Sequence, residues 1–453
     1  MRKRTEGAPF GFPGPRLPAT FSSYPPGTNA CGAGAPINAE SGTVNGGDGA
    51  AGLYAPLTPA RVDHRTMSAF DRSWRPTLLA LAAAAGLYVC VWGWFGKDLP
   101  DYLVPWFEHI RATGPIAAFA HPFGNYTPPY LYALAATTLA APLADPITLI
   151  KLLSVLGTIG LVVAVWRLFA ALDVAHPGRK AMIVFALPTV ILNAGLLGQC
   201  DAIWAAASVM ALAAAIKKRH AAMLAWCGLA LAIKLQPAFS APIILALLIG
   251  RRVPVRLWPI APAAFVAAML PAWLLGWPAA DLATIYLHQA DWSPLLSLNA
   301  PNIWVVAQSL PLVRDLPLTG LAIATAVGAS AWLVAHFSWR TPERDQLLAA
   351  ALLVTLVTVG LLPRMHERYF FLADVLALAL AFARSDRRSW QIAGLVQLAS
   401  LAGLLAYMSG VTALAVLGAL PMIAATVLVA RPFLASAAND NGLPLNPWRI
   451  HPA

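Results

Sequence analysis

Charge is what this sequence has least of. Of its 453 residues only 11% are Asp, Glu, Lys or Arg and 59% are hydrophobic, with a mean hydropathy of +0.66. So little charge cannot clothe a water-soluble domain of this length, so the bulk of the chain must face lipid. Acidic residues are the scarcest, 20 against 31 Lys and Arg, and the net charge is +11. The basic residues sit in short clusters between apolar runs, as cytoplasmic membrane loops do, and this argues against a nucleic-acid partner. Cysteine is nearly absent: Cys31, Cys90, Cys200 and Cys227 show no paired spacing. That leaves no disulfide framework and no zinc site, and four small packing residues instead. A His/Cys metal spacing, a glycine-rich phosphate loop and a Gly-x-Ser-x-Gly elbow are missing as well, so no cofactor and no metal are expected.

Apolar runs are what the chain has instead. Residues 1–73 stand apart, rich in Gly, Pro, Ala and Ser with no run long enough to span a bilayer or serve as a signal segment. This stretch reads as a disordered tail, and Met67, just ahead of Arg72 and Arg75, as a candidate translation start. A spanning helix needs about 20 mostly apolar residues, and Lys/Arg-rich loops stay in the cytoplasm. The run 77–95 follows Arg72 and Arg75 and so leaves the cytoplasm. Basic connectors then recur at Arg179/Lys180, Lys217/Lys218/Arg219, Arg251/Arg252/Arg256, Arg340/Arg344, Arg384/Arg387/Arg388 and Arg431. Between them the spans pair as 181–197 with 201–216, 221–235 with 236–250, 257–275 with 318–337, 346–362 with 370–383, and 390–408 with 411–430. One more crossing, 147–170, closes the count. The expected fold is therefore all-α, a polytopic transmembrane helical bundle over 74–430 with about 12 spans. Residues 431–453 form a short cytoplasmic tail.

Within this threading 96–146 is a long first external loop carrying interfacial helices. Residues 101–116 mix aromatic and charged side chains (Trp106, Phe107, Glu108, His109, Arg111), which suits an amphipathic helix in the interface. Asn125-Tyr126-Thr127-Pro128-Pro129 is a turn, because a residue before proline is pushed out of the helical region. The run 127–143 is then interfacial or re-entrant.

The threading gathers the unusual polar residues on the external side, where ionisable groups at membrane depth are costly and mark function. Asp98 and Asp101 stand beyond the first span; a carboxylate near water yet walled by apolar groups can act as a general base, or it simply caps the interface. Gly198-Gln199-Cys200-Asp201 is either a tight turn with Asp201 as helix N-cap or a pair of side chains, Gln199 and Asp201, for sugar hydroxyls. Lys234 and Gln236 interrupt an apolar hairpin at its turn, and the lysine either snorkels to headgroups or neutralises a phosphate. Arg364-Met365-His366-Glu367-Arg368-Tyr369-Phe370-Phe371 is the densest polar run; two arginines and a histidine there can hold an anion in forked hydrogen bonds, with Glu367 orienting a cation. His288, Asp291, Trp292, Asn299 and Asn302, in the loop 276–317, are either acceptor contacts or plain solvated residues.

The order of these motifs resembles a known family. An aspartate after the first span, Pro105-Trp106 with a long external loop, Asn-Tyr-x-Pro-Pro, Gly-Gln-x-Asp, Lys-x-Gln and Met-His-Glu-Arg-Tyr-Phe-Phe are similar to the pattern of the GT-C superfamily of polyprenyl-phosphate-sugar-dependent glycosyltransferases. The likeness covers about 77–430 and is nearest to bacterial mannosyltransferases related to GPI mannosyltransferase II and to the glucosyltransferases of the N-glycan pathway. The resemblance implies an inverting hexosyltransferase of the bacterial inner membrane, its site facing the exterior, with a polyprenyl-phosphate sugar as donor and a glycan, lipid or protein as acceptor. Members place the catalytic aspartate eight positions before the tryptophan of Pro-Trp, which selects Asp98 as the base, with Asp101 second. The His-Glu-Arg run resembles a His-Glu-Lys element beside the donor phosphate, so His366 and Arg368, with Lys234 and Arg364, are the expected phosphate ligands. Trp106, Asn125, Tyr126, Gln199, Asp201, Gln236 and Glu367 are the expected substrate contacts. A transporter or flippase of a lipid-linked sugar is the alternative; it needs the cations but not the carboxylate base.

Overall fold

The computed structural model describes residues 64–290, 294–314, 316–340, 342 and 344–439, and they fold as an all-helical unit. The helices follow in the order α1 (His64–Trp92), α2 (Val104–Thr113), α3 (Pro128–Thr138), α4 (Pro146–Ala171), α5 (Pro177–Ala181), α6 (Pro188–Ile191), α7 (Asp201–Ile216), α8 (His220–Ile233) and α9 (Ala241–Ile249). After these come α10 (Ile260–Leu274), α11 (Ala279–Ala290), α12 (Ile303–Ser309), α13 (Thr319–Trp339), α14 (Asp345–Leu361), α15 (Phe371–Arg384), α16 (Arg387–Ser409) and α17 (Thr412–Asn439). The expected tail lies outside the described residues up to position 63; from His64 onward its sequence is already the first turns of α1.

Among the described residues six helices are long and apolar enough to cross a membrane, at Trp74–Trp92, Pro146–Ala171, Val255–Leu274, Thr319–Trp339, Arg387–Ser409 and Thr412–Leu434. Leu79, Val89 and Leu420 on them are 71%, 77% and 64% exposed, and only lipid suits such faces. The count of about 12 reached from apolar runs exceeds this because several runs fold as shorter helices. Asp201–Ile216, His220–Ile233, Gln236–Ile249 and Asp345–Leu361 are apolar but fall below 18 residues. At 1.5 Å per residue they rise about 20–26 Å, against a hydrocarbon core of about 30 Å. The run expected as one span at 181–197 is bent by 61° between Pro177–Ala186 and Pro188–Leu196, and the pair gives a seventh candidate if it counts as one. Pro188 lacks the N–H that would continue the helix through the bend.

α14 and α15 form the centre. Their side chains are buried on almost every face, from Leu347 to Val359 and from Phe371 to Ala381. Helices apolar all round are the ones a fold can bury all round. The basic connectors gather at one end of this centre, where Arg344 pairs with Asp173, Arg384 with Asp345 at 2.9 Å, and Lys180 lies over the Phe382 ring. The segment joining α14 to α15 at the other end is the polar run 364–368.

Residues 96–145 hold two short α-helices, of 10 and 11 residues, neither long enough to span. α2 turns Trp106, Phe107 and Ile110 into a second core with Phe119, Tyr130, Leu131, Ile150 and Trp277. The amphipathic pattern read as interfacial thus finds its apolar partner within the protein.

Candidate functional site

Polar side chains from six separate stretches meet at the α14–α15 junction. Arg368 is the hub: Nη1 lies 2.6 Å from Glu367 Oε1, Nη2 2.9 Å from Asp98 Oδ2, and Nε 3.9 Å from Asp201 Oδ2. Gln199 Nε2 donates to the same Asp98 Oδ2 at 3.1 Å, and the Tyr126 hydroxyl donates to Gln199 Oε1 at 3.1 Å. Asp201 is held by Lys234 at 2.7 Å, Asn193 at 2.8 Å and the Trp204 indole at 2.9 Å. Lys234 also sits over the Tyr126 ring, 4.9 Å from its centroid. His366 Nδ1 stands 3.6 Å from Glu367 Oε2.

Local sequence explains the convergence. Asp98 opens a π-helical turn at Leu99–Leu103, and Asn193 belongs to another at Leu192–Leu196; such widened turns redirect side chains and recur at functional sites. Gly198 has φ +60°, and its missing Cβ lets Leu99 pack closely, so the Gln199 turn abuts the Asp98 turn. Asp201 is not an N-cap as one reading of the turn had it; Cys200 takes that place, and the Asp201 carboxylate turns inward. The Thr127 hydroxyl donates to the Ile233 carbonyl at 2.7 Å, pinning the Tyr126 turn to the end of α8 beside Lys234. Lys151, buried in α4, donates to the carbonyls of Trp92 and Trp94 at 2.6 Å each and so fixes the end of α1 shortly before Asp98. The 364–368 run is strapped to the preceding loop by parallel pairing of Ser297–Leu298 with Met365–His366, and the Glu367 N–H donates to the Leu298 carbonyl at 3.1 Å.

The electrostatics are nearly self-compensating. Asp98, Asp201 and Glu367 face Lys234 and Arg368 among the residues joined by direct bonds. Burial pushes the Glu367 carboxyl up, but the Arg368 guanidinium and the neighbouring His366 outweigh it and bring it down to about 2. Burial raises the Tyr126 phenol to about 12 despite Lys234, so it stays a donor at neutral pH. Asp98 is the exposed member, its side chain 26% accessible, and only its Oδ2 is engaged; Arg368 and Lys234 are 8% and 5% accessible. Asn193 Oδ1, Gln236 Oε1 and Arg368 Nε are buried without a hydrogen-bond partner. A polar substrate atom or water has three unmet groups to address there.

Of the residues singled out from sequence, the network joins Asp98, Tyr126, Gln199, Asp201, Lys234, His366, Glu367 and Arg368. Trp106 supports it, packing edge-on against Tyr126 with centroids 5.1 Å apart. Gln236 lies buried two residues beyond Lys234, and Arg364, with φ +62°, precedes the strand. Asp101 and Asn125 are exposed. Asn302 caps α12 and donates to the carbonyls of Val359 and Leu362, which makes it a brace for the junction, and Asn299 bridges to His366. The side chains of His288, Asp291 and Trp292 lie outside the described residues. Asn193, Trp204 and Lys151 were not singled out; a lone Asn or Lys within an apolar span was the available signal. Among the described residues no group of three His, Cys, Asp or Glu side chains could hold a metal ion. No protein-family model matches the chain, and no curated protein matches it.

Proposed function

We propose that the chain is an inverting membrane glycosyltransferase that moves a hexose, mannose or glucose, from a polyprenyl-phosphate donor to an acceptor hydroxyl at the external face of the bacterial inner membrane. The observation that carries this reading is the state of Asp98. Arg368 and Gln199 fix its Oδ2 while Oδ1, on a partly exposed carboxylate, makes no hydrogen bond among the described residues. A carboxylate with one oxygen anchored and one open is oriented for proton abstraction.

In the reaction, Asp98 Oδ1 takes the acceptor O–H proton as that oxygen bonds to the anomeric carbon from the face opposite the phosphate. The carbon–phosphate oxygen bond breaks and the polyprenyl phosphate leaves with the electron pair, inverting the centre. Arg364 and His366 at the rim, with Arg368 behind them, stabilise the charge on the leaving phosphate, an effect of several kcal/mol in a water-poor site. Lys234 is assigned a different part from the one its sequence position suggests: sealed against Asp201, it holds the network rather than gripping the donor. The basic connectors at the opposite helix ends support the external orientation.

The bend within Pro177–Leu196 favours a second reading, a transporter of a lipid-linked sugar, since broken helices line substrate paths in transporters. Asp98→Asn separates the two. Purified protein given labelled polyprenyl-phosphate mannose or glucose should lose transfer by about 100-fold or more in the variant. Full retained turnover ends the enzyme mechanism, and vesicle translocation that survives the substitution supports transport.

A further inference from the structure

One carboxylate inside the bundle belongs to neither the network nor an ion pair. Asp374, one turn into α15, is 2% exposed. The hydroxyls of Ser400 on α16 and Thr189 on α6 face its carboxyl, and no charged side chain acts on it. Neither Asp374 Oδ1 nor the Ser400 hydroxyl completes a hydrogen bond, and Ser400 is itself 2% exposed. Gln397, one turn before Ser400, reaches Thr189 Oγ1 with its amide at 3.2–3.3 Å. An ionised carboxylate sealed in an apolar helix without a counter-charge is strongly unfavourable, so something must neutralise it.

The surrounding atoms say what. Asp374, Ser400 and Thr189 supply oxygens, and Gln397 an amide whose carbonyl oxygen is its one atom able to ligate a cation. Nitrogen and sulfur ligands are lacking, which disfavours transition metals, and one carboxylate is too little charge for calcium. A single positive charge on a small hard ion matches the set. Thr189 follows Pro188 at the 61° bend between Pro177–Ala186 and Pro188–Leu196. Interrupted spans are where membrane proteins place alkali-ion sites, because the break frees polar groups to face inward. A bare proton would need only one of these oxygens.

We propose that Asp374, Ser400, Thr189 and Gln397 form a buried Na⁺ site at the bend of the Pro177–Leu196 segment. The site rests on neither reading of the Asp98 network. Bound Na⁺ ties α6, α15 and α16 together and so stabilises the native bundle, by an amount that grows with the logarithm of Na⁺ concentration once that exceeds the dissociation constant.

The full chain, purified in detergent, is tested by equilibrium binding of radiolabelled Na⁺ and by thermal unfolding in NaCl against choline chloride at equal ionic strength. The expected result is saturable binding of one Na⁺ per chain and a melting temperature that rises with the logarithm of Na⁺ concentration. Asp374→Asn abolishes both, and Ser400→Ala weakens affinity about tenfold or more. Should Asp374→Asn not fold, Ser400→Ala decides alone. Absence of saturable binding in the wild type overturns the proposal, as does unchanged affinity in a folded variant. A melting temperature that responds to pH but not to Na⁺ also overturns it, leaving Asp374 as a protonated acid.

Discussion

Replacing Lys234 by methionine tests the electrostatic heart of the candidate site. Lys234 Nζ lies 2.7 Å from Asp201 Oδ1, with the two side chains 5% and 2% exposed. Methionine keeps much of the stem's volume and removes the charge, leaving Asp201 ionised and sealed from water. Removing one partner of a buried pair typically costs about 3–5 kcal/mol, because the survivor has been desolvated without compensation. Asp201 retains hydrogen bonds from Asn193 and Trp204, while Arg368 Nε at 3.9 Å is too far to replace the ammonium. These place the expected loss at the lower end, about 3 kcal/mol. Adding Asp201→Asn removes the stranded charge, so the double variant should recover about 2 kcal/mol of that loss. The assay is reversible unfolding in mixed micelles followed by circular dichroism, for wild type, both single variants and the double. A Lys234→Met protein as stable as wild type, or a double variant no better than the single, refutes the account of this pair.

Two further outcomes follow from the same structure. The Glu367 carboxyl lies at about 2 when folded against an ordinary 4.5, so its contribution, about 3 kcal/mol, is fully present above pH 4.5 and is lost as pH falls toward 2; Glu367→Gln should flatten the stability profile across that window, and an unchanged acid slope contradicts the assignment. A Cβ at Gly228 would stand 2.1 Å from the Ala261 carbonyl oxygen, so Gly228→Ala should push α8 from α10 and cost about 1–3 kcal/mol, read by thermal melting.

Much of the site was visible in the sequence for a simple reason. In a chain with so few charges, each polar residue at the end of an apolar run stands out, and Asp98, Gln199, Asp201, Lys234, Glu367 and Arg368 were found that way before their contacts were known. Membership in one cluster was legible because the alternation of basic connectors put those ends on one side. Polar residues inside spans were passed over: Lys151, Asn193 and Asp374 are each embedded in apolar sequence and interrupt no run. The helix count was least legible, since apolar composition alone does not distinguish a 26-residue helix such as α4 from the 14 residues of α15. What separates them is where the chain must turn to bring polar groups together, and that is a property of the tertiary structure. Asn302 was equally opaque, its task as a brace being invisible without Val359 and Leu362 beside it.

The two-residue strap between Ser297–Leu298 and Met365–His366 makes the preceding loop a mechanical neighbour of the proposed base. Its hydrogen bonds run through the Glu367 backbone, whose side chain grips Arg368, which in turn grips Asp98. Any molecule that tugs on residues 294–302 therefore pulls on the carboxylate through a chain of three short links, with no element in between to absorb the motion.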